Sequence, residues 1–86
     1  MSEDIKAKFA AAAVAAKDLK TRPGNEAMLE LYALYKQATD GDISGERPGG
    51  FDFVGGAKYD AWSGLKGIST GDAMERYIAK VESLKS

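Results

Sequence analysis

Two residue types that carry much of protein chemistry are missing from this chain of 86 residues, which contains no cysteine and no histidine. Without cysteine it can form neither disulfides nor thiolate metal sites. Histidine is the commonest general base, because its pKa lies near neutrality. Their joint absence removes most routes to nucleophilic catalysis. The sequence therefore predicts a protein that is not an enzyme and that needs no cofactor or metal.

Strong charge of either sign and long apolar runs are also missing. Twelve lysines and arginines face thirteen acidic residues, which gives a formal net charge of -1. Nucleic-acid-binding proteins usually carry a basic stripe, so no nucleic-acid partner is expected. No apolar run approaches a membrane span or a signal peptide, and the segment from Met1 to Asp4 is acidic. We therefore expect a cytoplasmic protein without a transmembrane segment.

What the chain does contain is helical periodicity, within a length that predicts one domain of residues 1–86. Apolar residues recur every three or four positions in four segments, a spacing typical of amphipathic helices. The predicted inward faces are Ile5, Phe9, Ala12, Ala16 and Leu19 in residues 3–20; Met28, Leu31, Tyr32, Tyr35 and Ala38 from about residue 24 or 25; Ala61, Trp62 and Leu65 in residues 57–66; and Met74, Tyr77, Ile78, Val81 and Leu84 in the last segment.

Helix-ending residues separate these segments. The stretch from Thr21 to Gly24 contains Pro23 and ends the first helix, Gly41 is the predicted cap of the second, and Gly67 ends the third. Ser69, followed by Asp72, is the predicted cap of the fourth. The glycine-rich stretch 42–56 predicts a long loop whose Phe51 and Phe53 pack onto the core. The fold prediction is all-α, with four helices and no strand.

Three short motifs match known sites but lack their required context. Residues 67–71 fit a G-x-S-x-G nucleophile elbow, yet no strand precedes them and the chain has no histidine. The stretch from Asp40 resembles a calcium loop, but Phe51 stands where its glutamate is required, so Asp40 and Asp42 are expected to make turn hydrogen bonds. Residues 50–56 have the glycine spacing of a phosphate-binding loop without its lysine. None of the three predicts a function.

One cluster of residues remains as a candidate binding site. Tyr32, Tyr35 and Lys36 lie at positions i, i+3 and i+4 and so share one helix face. Two aromatic rings beside an ammonium suit an adenine that carries a phosphate, since rings stack on the base while the ammonium meets the charge. Lys58 and Tyr77 lie in the third and fourth helices. Spacing alone favours the simpler interpretation, in which the tyrosines belong to the core and the lysines are solvated.

A family resemblance favours the binding site over that simpler interpretation. The segment from Tyr32 to Thr39, YALYKQAT, resembles the central motif of the acyl-CoA-binding protein family. The resemblance continues through Arg47-Pro48-Gly49, Asp60-Ala61-Trp62 and Leu65-Lys66-Gly67 to Leu84 without gaps. It implies a four-helix up-down-down-up bundle that binds medium- to long-chain acyl-CoA in a surface bowl and acts as an intracellular carrier. It also implies a monomer whose other contacts, with acyl-CoA-using enzymes or membranes, are transient.

The resemblance further implies roles for individual residues. The family's matches to Tyr32, Lys36 and Lys58 hold the 3′-phosphate of the nucleotide, and the match to Tyr35 stacks on the adenine. Further contacts are implied for Tyr77, on the ligand from the last helix; Lys17, near the head group; and Ala13, Met28 and Leu29, along the acyl groove.

The chain also departs from the family pattern. It reads Gly55-Gly56-Ala57-Lys58-Tyr59 where the family commonly has Gly-Lys-Ala-Lys-Trp. The missing lysine weakens attraction of an anionic head group, so affinity is the property these departures affect. Two other functions are weighed against the carrier: a helical protein-interaction module whose ligand site has decayed, and a thioesterase or acyltransferase, for which no plausible base and nucleophile exist.

Overall fold

The computed structural model describes residues 3–20 and 22–85, which fold into four helices. These are α1 (Glu3–Lys17), α2 (Asn25–Asp40), α3 (Phe53–Ser63) and α4 (Thr70–Leu84). No strand occurs in those ranges, and the all-α prediction is confirmed. Met1 and Ser2 of the acidic start, and Thr21 of the predicted break, lie outside the described residues. The single domain of residues 1–86 stays a prediction.

The helix ends largely follow the sequence signals. Gly41 takes a positive φ of 82° and donates its N–H to the Gln37 carbonyl, as a C-terminal cap does. The Ser69 hydroxyl accepts a hydrogen bond of 3.1 Å from the backbone N–H of Asp72, which confirms the predicted start of α4. Helix α1 ends at Lys17 rather than at residue 20.

Helix α3 was wrongly placed, because it runs over Phe53–Ser63 instead of residues 57–66. The Asp52 carboxylate accepts a 2.8 Å hydrogen bond from the Gly55 N–H and caps the helix four residues earlier than expected. That cap offsets the low helix propensity of the two glycines in the first turns. Past Ser63 the chain continues in turns up to Gly67, which has a positive φ of 93°.

The prediction that Phe51 and Phe53 pack onto the core is also wrong, since their side chains are 92% and 77% exposed. Polar contacts hold the loop 41–52 instead. Arg47 donates two hydrogen bonds to the Asp60 carboxylate, at 2.8 and 3.0 Å, and this pairing lowers the pKa of Asp60. Its guanidinium lies against Gly56 of α3, where a Cβ atom would come within 2.8 Å of the Arg47 Nη2 atom. A lysine at this position would therefore displace Arg47.

Contacts between the helices show their relative directions. Lys58 lies over Tyr32, and Trp62, one turn further along α3, bonds to Gln37 further along α2, so α2 and α3 run parallel. Gln37, near the end of α2, bonds to the Ile68 carbonyl just before α4, so α4 runs antiparallel to α2.

The same reasoning orients α1. Phe9 packs against Tyr35 near the end of α2, while Lys17 shares a groove with Met28 near its start. The order is up, down, down, up, as the resemblance implied.

Helix α4 lies between α1 and α2 and packs against both. Among the described residues, no Cα atom of α1 comes within 8 Å of one in α2. The shared core comprises Phe9, Ala12, Leu31, Leu34, Ala38, Ala73, Tyr77 and Val81. Because α1 and α2 are held apart, an open groove lies between them with α4 as its floor.

Helix α2 buries a different face from the one predicted. Leu31 and Ala38 are buried as expected, but Met28 and Tyr35 are each 42% exposed. Ala33, Leu34 and Gln37 are buried in their place. The helix has apolar residues on two faces: one is buried in the core, and the other is partly exposed along the edge of the core.

The buried Gln37 side chain joins the ends of three helices. Its amide nitrogen donates to Asp42 and to the Ile68 carbonyl, both at 2.8 Å, and its oxygen accepts from the Trp62 indole at 3.0 Å. Asp42 also accepts from the Gly67 N–H, and these bonds lower its pKa. We call Gln37, Asp42, Trp62, Gly67 and Ile68 the Gln37 network. It holds the end of α2 against the end of α3 and the start of α4.

Candidate ligand-binding site

A groove of about 920 Å³ lies between α1 and α2. It is lined by residues of α1, of the connection between α1 and α2, of α2, and of α4, which forms its floor. Its lining consists of Ala13, Ala16, Lys17, Leu19, Lys20, Arg22, Pro23, Met28, Leu31, Tyr32, Tyr35 and Tyr77. Six of the nine residues expected in the site, Ala13, Lys17, Met28, Tyr32, Tyr35 and Tyr77, therefore lie together.

The apolar part of the groove has one small-residue wall and one larger wall. Ala13 and Ala16 of α1 face Met28 and Leu31 of α2. Alanines leave room beside the α1 backbone, while Met28 supplies a flexible apolar surface. Leu29 is partly buried and is not among the lining residues, so its predicted role stays a prediction.

Aromatic rings form the end of the groove near the middle of α4. Phe9 stacks on Tyr35 with centroids 5.5 Å apart, and it meets Tyr77 edge-on at 5.1 Å. Tyr35 and Tyr77 are 6.0 Å apart. Since Tyr35 is 42% exposed, part of its ring is open for stacking with a ligand.

Tyr77 is only 5% exposed, and burial raises the pKa of its hydroxyl. Among the described residues, no side-chain hydrogen bond involves this hydroxyl, yet no buried side-chain polar atom is left unpaired. The hydroxyl therefore keeps some access to solvent and, because Tyr77 lines the groove, can bond to a ligand or to water.

Lys36 and Lys58 lie next to Tyr32 rather than in the lining itself. The Lys58 ammonium is 5.1 Å from the centre of the Tyr32 ring, which is within cation–π distance. Lys36, one turn after Tyr32, lies 5.2 Å from the centre of the Trp62 ring. Its ammonium is also 2.6 Å from the Asp40 carboxylate. This contact raises the pKa of Lys36 and lowers that of Asp40.

The expectation that Asp40 makes a turn hydrogen bond is thus wrong, because it ends α2 and pairs with Lys36. The same expectation is wrong for Asp42, because its carboxylate accepts from the Gln37 side chain and from the backbone N–H of Gly67, 25 residues further along. Residues 3–20 and 22–85 contain no cluster of three or more potential metal ligands. Nor does any helix in these ranges have the length and hydropathy needed to cross a membrane.

Two further cations line the groove and were missed from the sequence. Lys20 and Arg22 join Lys17 where α1 leads into α2. None of the three forms an ion pair with another described residue. The run from Lys17 to Arg22, with three basic residues just after an apolar stripe, was the available signal. The groove therefore combines apolar walls, open aromatic rings and cations.

Comparisons with known proteins agree with this architecture. The family model described as "Acyl CoA binding protein" matches residues 6–81. The chain is 49% identical over 76 residues to acyl-CoA-binding protein homolog 1 of Caenorhabditis elegans, with 88% of each protein covered. The crystal structure of Oryza sativa acyl-CoA-binding protein 2 superposes with a TM-score of 0.88 at 42% identity, covering 93% of this chain and 89% of that one. ACBP from Moniliophthora perniciosa gives a TM-score of 0.87 at 38% identity, covering 98% and 80%.

Proposed function

The chain belongs to the acyl-CoA-binding protein family, and on that premise we propose that it binds medium- to long-chain fatty acyl-CoA esters as a cytoplasmic carrier. Proteins that consist of this domain alone bind their ligand without transforming it. The chain acts as a monomer that forms an acyl-CoA pool, with transient contacts to the enzymes or membranes that release and accept the ester.

The groove between α1 and α2 is the observation that carries this proposal. An acyl-CoA ester is an apolar chain joined to an anionic head with an adenine ring, and the groove offers a matching surface for each part. Tyr32, Lys36 and Lys58 bind the 3′-phosphate, while the open Tyr35 ring stacks on the adenine. The Tyr77 hydroxyl contacts the ligand from the floor.

The acyl chain lies along the wall formed by Ala13 and Met28, with Leu29 contributing from α2 and Lys17 near the head group. Each methylene buried there contributes about 0.8 kcal/mol, which is roughly a fourfold gain in affinity. Charge-assisted hydrogen bonds to the phosphate are the strongest polar contacts available to this site. Chain length therefore governs affinity, and the phosphate governs the choice of ligand class.

Isothermal titration calorimetry tests the proposal with three ligands: palmitoyl-CoA, palmitate and coenzyme A. Only palmitoyl-CoA satisfies both halves of the site, so it should bind far more tightly than either part. A series of acyl lengths should show affinity rising with each added pair of carbons. Palmitate binding as tightly as palmitoyl-CoA would contradict the role of the phosphate, and no binding of the ester would contradict the proposal as a whole.

The exposure of Phe51, Phe53 and Val54, at 92%, 77% and 67%, favours the alternative of a protein-interaction module. These three apolar side chains lie around the start of α3, away from the groove lining. The two functions differ in one measurable respect. A carrier with Phe51→Ser and Phe53→Ser should still bind palmitoyl-CoA with unchanged affinity, whereas a module with a decayed site should not bind it even before substitution.

A further inference from the structure

The two lysines assigned to the ligand phosphate differ in their surroundings. The Lys36 ammonium is held 2.6 Å from the Asp40 carboxylate, one helical turn away. Lys58 lies over the Tyr32 ring and has no acidic partner within 4.0 Å among the described residues. One cation of the site is thus already paired inside the protein, and the other is open.

The position of Asp40 explains why it takes this partner. Asp40 is the last residue of α2, where the partial negative charge of the helix terminus disfavours a carboxylate. The Lys36 ammonium offsets that cost. The pair is also accessible, since the two side chains are 30% and 49% exposed. A ligand can therefore reach Lys36 without unfolding α2.

A phosphate that binds Lys36 meets the carboxylate already bound to the same ammonium. Two anions must then share one cation, and they repel each other at short distance. Part of the Lys36 surface also faces the Trp62 ring, so fewer N–H donors remain for the incoming group. We propose that the Asp40 carboxylate competes with the ligand's 3′-phosphate for the Lys36 ammonium and so weakens recognition of that phosphate.

This inference rests on the proposed function, because it concerns the selectivity of the same site. It assigns Asp40 a role in specificity: the carboxylate lowers affinity for the phosphorylated ester and leaves an ester without the 3′-phosphate unaffected. The chain would bind the phosphorylated ligand more tightly if this one acid were neutral.

Asp40→Asn tests the idea, because it removes the charge and keeps the side-chain size. Glu30→Gln is the matched control: it makes the same change in net charge at a residue paired with Lys80 and outside the groove lining. Calorimetry with palmitoyl-CoA and its 3′-dephospho analogue should show Asp40→Asn tightening the first by about two- to fivefold, as expected for an exposed ion pair. The analogue and the Glu30→Gln protein should show no change.

Two further measurements identify the mechanism. High salt should reduce the gain, because exposed charges are screened. The effects of Asp40→Asn and Lys36→Ala on affinity should be non-additive, since both substitutions act on the same ammonium.

Several outcomes would overturn the inference. Weaker binding by Asp40→Asn would mean that Asp40 positions Lys36 for the ligand. Unchanged binding, or an equal gain with the dephospho analogue or with Glu30→Gln, would remove its role in phosphate selectivity. If the unsubstituted protein binds neither ester, the proposed function itself fails. Circular dichroism of each variant checks that the fold is intact.

Discussion

Polar groups on the two sides of α2 serve opposite purposes. At the Gln37 network, every polar atom of the buried Gln37 side chain has a partner within the protein. Across the helix, the Tyr77 hydroxyl and the Tyr35 ring in the groove, and the Lys58 ammonium beside Tyr32, have no polar partner among the described residues. Satisfied polar groups stabilise a fold, whereas open ones are available to a ligand. Stability and binding should therefore respond to different substitutions.

The largest expected effect is on ligand affinity. Replacing Lys36 and Lys58 together by alanine should weaken palmitoyl-CoA binding by about 10²- to 10⁴-fold, since two charge-assisted phosphate contacts are lost. The melting temperature should change little, because both side chains lie at the surface. Calorimetry and thermal unfolding measure the two quantities.

Lys8→Ala with Lys66→Ala is the matched control for that pair. It removes the same charge from exposed positions outside the groove lining. A similar loss of affinity in the control would attribute the effect to net charge, and full binding by the Lys36 and Lys58 variant would contradict the site.

A substitution in the Gln37 network should instead lower stability and leave ligand affinity unchanged. Gln37→Leu keeps approximate volume but removes three hydrogen bonds and leaves the Ile68 carbonyl without this donor. The free energy of unfolding should fall by about 2–4 kcal/mol. Urea unfolding measures the loss, and Thr39→Ala, an exposed neighbour, should change stability by no more than about 0.5 kcal/mol. Palmitoyl-CoA affinity of the still-folded variant should be unchanged. A large loss of affinity would contradict the view that stability and binding depend on different residues.

These two faces of α2 also show how far sequence reasoning reached. Periodicity located four helices, and Ser69 and Gly41 marked two helix ends correctly. It could not tell the core face from the ligand face, because Met28 and Tyr35 are as apolar as the residues that pack inside. Nor did it identify Gln37 as buried, since its partners come from three separate segments.

The start of α3 shows a second limit. Gly55 and Gly56 lower helix propensity, so the sequence suggested a longer loop. The Asp52 cap and the Arg47 guanidinium over Gly56 override that preference through contacts that no local pattern reveals. The site residues were found mainly because the family motif placed them, and Lys20 and Arg22 were missed because they lie beyond the motif.

A smaller effect is expected at the floor of the groove, where core and site meet in one residue. Tyr77→Phe keeps the ring contacts with Phe9 and Tyr35 but removes the hydroxyl. Stability should change by less than about 1 kcal/mol, since the hydroxyl bonds to no protein group. Palmitoyl-CoA affinity should fall by roughly three- to tenfold, the value of one hydrogen bond. A large loss of stability without loss of affinity would assign Tyr77 to the core alone.

The smallest expected effect is on the pH dependence of stability. The Gly67 N–H and the Gln37 amide stabilise the ionised form of Asp42 and lower its pKa in the folded protein below the ordinary value of 3.8. A group whose folded pKa is depressed stabilises the fold above its unfolded pKa and loses that contribution as pH falls through the folded value. Asp42→Asn should therefore make stability less dependent on pH below about pH 4, as measured by urea unfolding at pH 3 and pH 6. Glu46→Gln, at an exposed loop position, should leave the same slope unchanged, and an equal change in both variants would place the acid sensitivity outside the Gln37 network.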